Sequence, residues 1–210
     1  MRTPRKNKLD ELNILKPYNQ VDAELIIIIN YVVSQFMKLK AKLAKEDKTH
    51  VVVYEMFDDI YILMLDCYAE IYRFYANEYR GAKEAVMKFL ETSNPITKYI
   101  FKEEFDRKRA YLLEALTVKD ADVQLEAARA AIRLNRIIKE FAVQIADMAT
   151  LKKYKKDGVK KVKWQVLDAK ACDKCKALDG KVFKIEELPI KPHINCRCWI
   201  IPYGQSKQAD

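Results

Sequence analysis

Glycine, proline and histidine are scarce in this chain, and their scarcity restricts the fold. Only four glycines, six prolines and two histidines occur among 210 residues, whereas half of the residues are hydrophobic and a third are charged. Because glycine and proline are the main breakers of helices, such a composition is typical of long helices. We therefore predict a mainly α-helical protein: a bundle of long helices followed by a small β unit.

The chain also lacks a long apolar run. Its most apolar segment, 25–37, is interrupted by polar residues and ends at Lys38, whereas a membrane-spanning helix needs about 20 apolar residues. We predict a buried helix there and no membrane span. The charged N-terminus has no apolar stretch behind it, so we expect no secretory signal and a reducing, cytosolic origin.

The positions of proline, glycine and charged residues predict four regions. Residues 1–19 form a basic N-terminal arm, with Arg2, Arg5, Lys6 and Lys8 clustered in it. Residues 20–157 form the helical domain, 158–204 a separate β module, and 205–210 a short tail.

The helical domain carries apolar residues at alternating spacings of four and three, the pattern of a helix that packs along one seam. The first series is Val53, Phe57, Ile60, Met64, Cys67, Ile71 and Phe74. The second series, on a helix that starts near Asp120 or Asp122, is Ala131, Leu134, Ile138, Phe141, Ile145 and Met148. We interpret Cys67 as a core residue and not a metal ligand.

A line of tyrosines runs beside the first series: Tyr54, Tyr61, Tyr68, Tyr72, Tyr75 and Tyr79. Tyrosine suits both a core rim and an interface, so we keep core packing and helix-mediated self-association as alternatives. Farther on, Asn94 and Pro95 have the signature of a helix start, which predicts a helix over 96–116.

The character of the sequence changes after Gly158. Three short segments rich in β-branched and aromatic residues, 162–167, 181–185 and 198–203, predict strands, with a turn at Asp179–Gly180. A β unit of this size buries too little apolar surface to be stable alone. It therefore needs an additional stabilising element.

Cysteine, otherwise rare, is concentrated in this module. Cys172 and Cys175 form a C-x2-C pair, His193 and Cys196 form H-x2-C, and Cys198 follows. Two such halves separated by one strand are typical of a structural zinc site with four N and S ligands. We predict zinc bound by Cys172, Cys175, His193 and Cys196. Cys198 is the alternate, because we expect its side chain to point away from that of Cys196 unless the chain curls at Arg197.

Three other interpretations of this cluster remain. The cysteines could be reduced structural residues, or the C-x2-C pair could be a redox motif, although the H-x2-C half fits that poorly. A catalytic site is the third, either at an open zinc position or as an Asn–His nuclease built on His193 and Asn195. For both forms of catalysis we find no convincing general base, and we predict no enzymatic activity.

The module resembles the C-terminal segment of phage Mu F-type head morphogenesis proteins, also called minor capsid or minor head proteins. The resemblance covers about 158–203, and one residue departs from it: Ile194 stands where proline is common. The matching residues are Trp164, Asp168, Cys172, Cys175, Leu178, Asp179, Gly180, Lys181, Val182, Phe183, Pro192, His193, Asn195, Cys196, Arg197 and Cys198.

This resemblance implies a virion protein in few copies, inside the capsid or at the portal vertex, made in the host cytoplasm. It implies a role in head assembly or DNA delivery, with the portal or major capsid protein as partner. Some family members carry a further domain after this module, and we expect none here.

The net charge of +9 favours a polyanionic neighbour. The basic segment joining the helical domain to the module suggests non-specific contact with duplex DNA through Lys152, Lys153, Lys155, Lys156, Lys160, Lys161 and Lys163. A solvated linker is the alternative for these lysines. The competing function is a zinc-ribbon nucleic-acid-binding regulator, which would need a recognition helix that the module does not offer.

Overall fold

The computed structural model of the chain describes residues 18–45, 48–167, 171–193 and 196–204. Five longer helices come first in these ranges: α1 (Asn19–Leu43), α2 (Thr49–Ala76), α3 (Ala82–Leu90), α4 (Phe101–Thr117) and α5 (Val123–Lys156). The module follows: β1 (Lys161–Gln165), α6 (Asp173–Lys176), β2 (Val182–Lys184), a 3-10 turn (Ile185–Glu187) and β3 (Trp199–Pro202). The predicted fold class, helices followed by a small β unit, is confirmed.

The longest helix, α5, begins and ends at residues that the sequence identified. The Asp122 carboxylate accepts hydrogen bonds from the backbone N–H groups of Gln124 and Leu125, which have no partner within the helix. At the other end, Gly158 adopts a left-handed backbone with φ of 72°. Glycine takes this conformation without a steric penalty, so the chain can turn away toward β1.

The core of the helical domain lies where α1, α2 and α5 pack against one another, with α4 packed on α5. Phe101 contacts both Phe105 and Phe141 in edge-to-face or tilted geometry. The buried Tyr68 hydroxyl donates to the Ile138 carbonyl at 2.6 Å and so links α2 to α5. Cys67 is buried in this core, as predicted.

Both predicted seams are largely confirmed, with one error. The first series is buried from Val53 to Ile71, but Phe74 is 63% exposed. The four-three spacing repeats every seven residues, which is slightly less than two turns of an α-helix, so the series drifts around the helix by about 20° per repeat. Phe74 comes three repeats after Val53 and no longer faces the core. Of the tyrosines, the central three, at 68, 72 and 75, are buried, whereas Tyr54 and Tyr79 at the two ends are exposed.

The prediction of a fully buried helix over 25–37 is wrong in part. Ile28 and Val32 are buried, but Ile26, Val33 and Met37 on another side of α1 are exposed. A helix with apolar residues on every side is normally buried on every side. In this structure, however, α1 packs only with its sides that face α2 and α5. None of the helices in the described ranges is long and apolar enough to cross a membrane.

The helix predicted over 96–116 begins later, at Phe101. Asn94 does cap the backbone locally, accepting from the N–H groups of Ile96 and Thr97. However, the capped segment is a turn, because Lys98 has a positive φ of 64° that interrupts any helix. The Asn94 side chain instead donates to Gln144 on α5 and fixes the turn to the bundle.

Only the last two residues of the predicted N-terminal arm are described. Tyr18 is buried and Asn19 begins α1, so both belong to the folded protein and not to an arm. The rest of the arm and the predicted tail, 205–210, lie outside the described residues.

The sheet has the order β2-β1-β3 with both pairings antiparallel. Val162 pairs with Phe183 on one side and with Pro202 on the other, and Trp164 pairs with Ile200. The three strands therefore coincide with the three predicted ones to within two residues at each end.

Candidate metal centre and its attachment to the helices

The module has a small hydrophobic core of its own, distinct from that of the helices. Trp164 on β1 is its largest buried side chain, packed with apolar residues of the other strands and with three of the cysteines. Because the core is so small, the cysteine sulfurs form a substantial part of its interior.

The loop after β1 carries the C-x2-C pair. Cys172 precedes α6 and Cys175 lies within it, so one helical turn brings the two thiols to the same side. The loop then returns to β1, where the Gly180 N–H donates to the Trp164 carbonyl at 2.9 Å. Gly180 has a φ of 72°, which fits the turn predicted at this position. The loop that carries Cys172 and Cys175 is thus attached to the sheet both before and after the two cysteines.

The segment before β3 brings the second set of donors. Cys196 and Cys198 are both buried, whereas His193 and Cys172 are exposed. The expectation that Cys196 and Cys198 point apart is wrong, because side chains two residues apart on an extended chain lie on the same face. Both sulfurs lie in one group with that of Cys175.

The donor atoms form two overlapping groups that share Cys175. Cys172, Cys175 and His193 form one, and Cys175, Cys196 and Cys198 the other, with all donor atoms in a group within 4.8 Å of each other. The Cys175 sulfur lies 3.2 Å from His193 Nε2 and 3.5 Å from the Cys196 sulfur. A zinc–sulfur bond of about 2.3 Å gives a tetrahedral sulfur–sulfur edge of about 3.8 Å, so the cluster is close to the size that zinc needs.

The cluster could therefore hold a metal ion, and its thiol and imidazole donors suit zinc. All five cysteines are free thiols, and the Cys175–Cys196 separation is far longer than the disulfide bond length of about 2.05 Å. The Cys198 sulfur also lies within 4.8 Å of the Cys175 and Cys196 sulfurs. The assignment of Cys172, Cys175, His193 and Cys196 as the ligands thus stays a prediction.

The surroundings give the thiols different acidities. A hydrogen bond from the Cys175 backbone N–H lowers the pKa of Cys172. Burial raises the pKa of Cys175 and of Cys196, because a buried thiolate loses its hydration. A bound cation would reverse this effect, since coordination by a divalent metal deprotonates a thiol.

Lys191 connects the metal-binding segment to the helical bundle. Its ammonium group donates to the Cys196 carbonyl at 3.0 Å and to the Tyr18 hydroxyl at 2.6 Å, and lies 2.6 Å from Asp147 Oδ2 on α5. These three partners use all three of its N–H groups. The side chains of Lys191 and Asp147 are only 9% and 14% exposed, so the pair is largely shielded from water.

Tyr18 lies at the centre of this junction. Its hydroxyl is 2.9 Å from Asp147 Oδ1 and 3.1 Å from the Cys198 carbonyl, and its single hydrogen can serve one of them at a time. Its ring packs edge-on against Trp199, at 5.1 Å between centroids. Arg197 lies over the same ring and pairs with Asp22 at 2.8 Å. The start of α1 is therefore in direct contact with the segment that carries Cys196 and Cys198.

Two of these junction residues had no signal in the sequence. Tyr18 falls in the stretch interpreted as an arm, and Asp147 is a single carboxylate inside an apolar series on α5. Arg197 and Lys191 flank the cysteine motif, so only their position near the cluster could have indicated a role.

The lysines singled out for DNA contact are not equivalent. Lys152 pairs with Glu78 at 2.6 Å and Lys153 pairs with Asp157. Lys152 is exposed, as are Lys155, Lys156, Lys160 and Lys161. The last four of these extend from the end of α5 through the turn into β1. Asp168, Ile194 and Asn195, which belong to the motif or to the Asn–His hypothesis, lie outside the described residues.

A comparison with protein families agrees with the resemblance seen in the sequence. Residues 104–201 match the family model described as Phage Mu protein F like protein, which extends from α4 through the module. No curated protein and no solved structure matches the chain. The match confirms the predicted resemblance to Mu F-like proteins over these residues.

Proposed function

With the Mu F-like match over residues 104–201 as the premise, we propose that the protein is a minor head protein that acts in head morphogenesis at or near the portal, without enzymatic activity. The observation that carries this proposal is that the matched region includes α5, the cysteine–histidine cluster and the sheet together. The described α5–module junction is held by the buried contact of Lys191 with Asp147. A rigid recognition unit on a helical support suits a docking role better than a flexible tether would.

The location can be tested in purified phage particles. Quantitative mass spectrometry of virions should find the protein at a small fraction of the major capsid protein, and it should co-purify with portal rings. Its absence from virions and from assembling heads, in cells that express it, would contradict the proposal.

We propose zinc as the structural metal of the module. The cluster has the donor types and dimensions for it, and the module core is too small to be stable without additional support. Bound zinc would lower the free energy of the folded module. In this role it would take no part in catalysis.

We also propose weak, sequence-independent contact with duplex DNA through the exposed lysines. Each phosphate that a lysine neutralises releases counterions, so affinity should fall steeply as salt is raised. Replacement of Lys155, Lys156, Lys160 and Lys161 by glutamine should make the salt dependence shallower, and replacement of the ion-paired Lys152 and Lys153 should change it less. Gel-shift titrations at several salt concentrations would measure both slopes, and equal slopes for all variants would refute the contact.

The regulator alternative has little support in the described part of the module. Its helices there are α6, with four residues, and a 3-10 turn of three. Neither is long enough to occupy a DNA major groove. Strong preference for one DNA sequence in the same titrations would favour the regulator over the head protein.

A further inference from the structure

An apolar groove runs along the outside of the helical bundle between α1 and α5. Its walls are formed by Val33, Phe36 and Met37 from α1 and by Ala128, Ala131 and Ile132 from α5, around a cavity of about 470 Å³. We call this the α1–α5 groove. It lies away from the metal cluster, because the opposite ends of the two helices, at Tyr18 and Asp147, meet the module.

Large apolar side chains at the rim of the α1–α5 groove are left in water. Met37 is 77% exposed and Ile132 is 71% exposed, and Val33 is also exposed. Isolated exposed apolar residues are normal, but these three line one cavity from both sides. Three alanines of α5, at 127, 128 and 131, also line the groove, and their small side chains allow another backbone to approach closely.

Basic residues outnumber acidic ones around the groove. The α1 stretch, residues 25–45, contains no acidic residue, and Glu126 is the one acid in the α5 stretch, residues 124–139. Their basic residues are Lys38, Lys40, Lys42, Lys45, Arg129, Arg133, Arg136 and Lys139. Two of these arginines are paired with glutamates, Arg129 with Glu126 and Arg136 with Glu140, and Arg133 lies over the Tyr111 ring. Arg136 and Lys139 line a hollow that continues the groove past Ile132.

One polar atom in the groove also lacks a partner. Asn135 lines the cavity, and its side-chain Oδ1 is buried without a hydrogen bond to any described residue. A buried amide oxygen in this state costs free energy until a donor reaches it. An occupant of the groove could supply that donor.

We propose that the α1–α5 groove binds an amphipathic helix of a partner protein, with its apolar face toward Val33, Met37 and Ile132 and acidic side chains along its flanks. An apolar lining favours a protein helix over nucleic acid, which offers a charged backbone and no apolar ridge. The basic border selects acidic flanks and disfavours a basic helix. This inference goes beyond the head-protein function and requires neither the metal nor DNA.

The test uses the full chain and a fluorescein-labelled synthetic peptide of about 18 residues, or five helical turns. The peptide carries leucines at helical spacing and glutamates on both flanks, and a matched peptide has lysines in place of the glutamates. Fluorescence anisotropy should show saturable binding of the glutamate peptide, with the lysine peptide at least about tenfold weaker. Equal binding of the two peptides, or binding of neither, would overturn the proposal.

Substitutions locate the binding on the protein. Ile132→Asp should weaken the glutamate peptide at least about tenfold, whereas Ile62→Asp on α2, which is similarly exposed at 56%, should leave it unchanged. The pair Lys40→Glu and Lys139→Glu should reverse the preference between the peptides. An unchanged affinity in Ile132→Asp would refute the groove as the site.

Two other occupants give distinct results that would also overturn the proposal. If a second copy covers the groove, sedimentation will show a dimer that Ile132→Asp dissociates. If the groove is a nucleic-acid surface, duplex DNA will displace the peptide, and Ile132→Asp will weaken the DNA complex equally. The lysines replaced in the DNA test lie outside the α1–α5 groove. Each test can therefore refute its own proposal, DNA contact or helix binding, without affecting the other.

Discussion

Lys191→Met tests whether the buried junction holds the module on the helices. Methionine keeps the length and apolar body of the lysine but has no N–H groups. It leaves the Asp147 carboxylate, whose side chain is 14% exposed, without its cation, and it leaves the Cys196 carbonyl without its donor. Breaking a buried pair by removing one partner costs about 3–5 kcal/mol. We expect the free energy of unfolding of the module to fall by that amount.

The pH dependence of this loss follows from Asp147. Burial raises the pKa of its carboxyl group, and Lys191 acts in the opposite direction. A carboxyl group with a folded pKa above its unfolded value destabilises the fold when ionised, and that penalty disappears as pH falls below both values. Removing Lys191 raises the folded pKa further. The deficit of Lys191→Met should therefore be largest near neutral pH and should shrink as the pH is lowered.

Urea unfolding followed by tryptophan fluorescence measures the effect, because Trp164 lies in the module core and Trp199 at the junction. The double variant Lys191→Met/Asp147→Asn removes the stranded charge and should recover at least about half of the loss. Asp22→Asn is the matched control: it breaks the exposed Arg197–Asp22 pair, which should cost less than about 1 kcal/mol. A small, pH-independent loss in Lys191→Met, or no recovery in the double variant, would refute the reasoning.

The other predictions concern the cysteines. The purified protein should contain about one zinc per chain, and Cys175→Ser should lose it while most helical circular dichroism remains; well under half an equivalent by elemental analysis would refute the site. The ligand assignment predicts that Cys196→Ser loses zinc whereas Cys198→Ser retains it, and the opposite result would exchange their roles. Chelator-driven zinc release should become easier as pH falls, because protons compete with the metal for thiolates and imidazole; pH-independent release would contradict thiolate ligation. Cys67→Ala should lower the free energy of unfolding by about 0.5–2 kcal/mol with zinc content unchanged, and loss of zinc would contradict its burial in the helical core.

Most of the fold could be predicted from local patterns in the sequence. The caps of α5, the apolar series on α2 and α5 and the turn at Gly180 depend on neighbours a few residues away, so periodicity and residue type suffice to predict them. The start of α4 was misjudged because Asn94 caps a turn as readily as a helix. Only the contact with Gln144, which is distant in sequence, fixes that turn in place.

The donors of the metal centre were predictable for the same reason, since each half of the cluster is a short motif. The choice between Cys196 and Cys198 was not, because both are buried and both sulfurs lie in one group with that of Cys175. The junction was also hidden, since it joins residues 18, 147 and 191, which no local pattern relates.

The junction and the cysteine cluster stabilise the same short segment from opposite sides. The thiols of Cys196 and Cys198 face the Cys175 sulfur, whereas their carbonyls accept hydrogen bonds from Lys191 and Tyr18. A metal that fixes the thiols would therefore also fix the carbonyls that the helices bind. By thermodynamic linkage, contacts that favour one ordered segment support each other. Lys191→Met should then weaken zinc binding as well as docking, whereas Asp22→Asn should leave zinc affinity unchanged. Competition with a calibrated chelator would measure both variants, and wild-type zinc affinity in Lys191→Met would show that the cluster and the helices act independently.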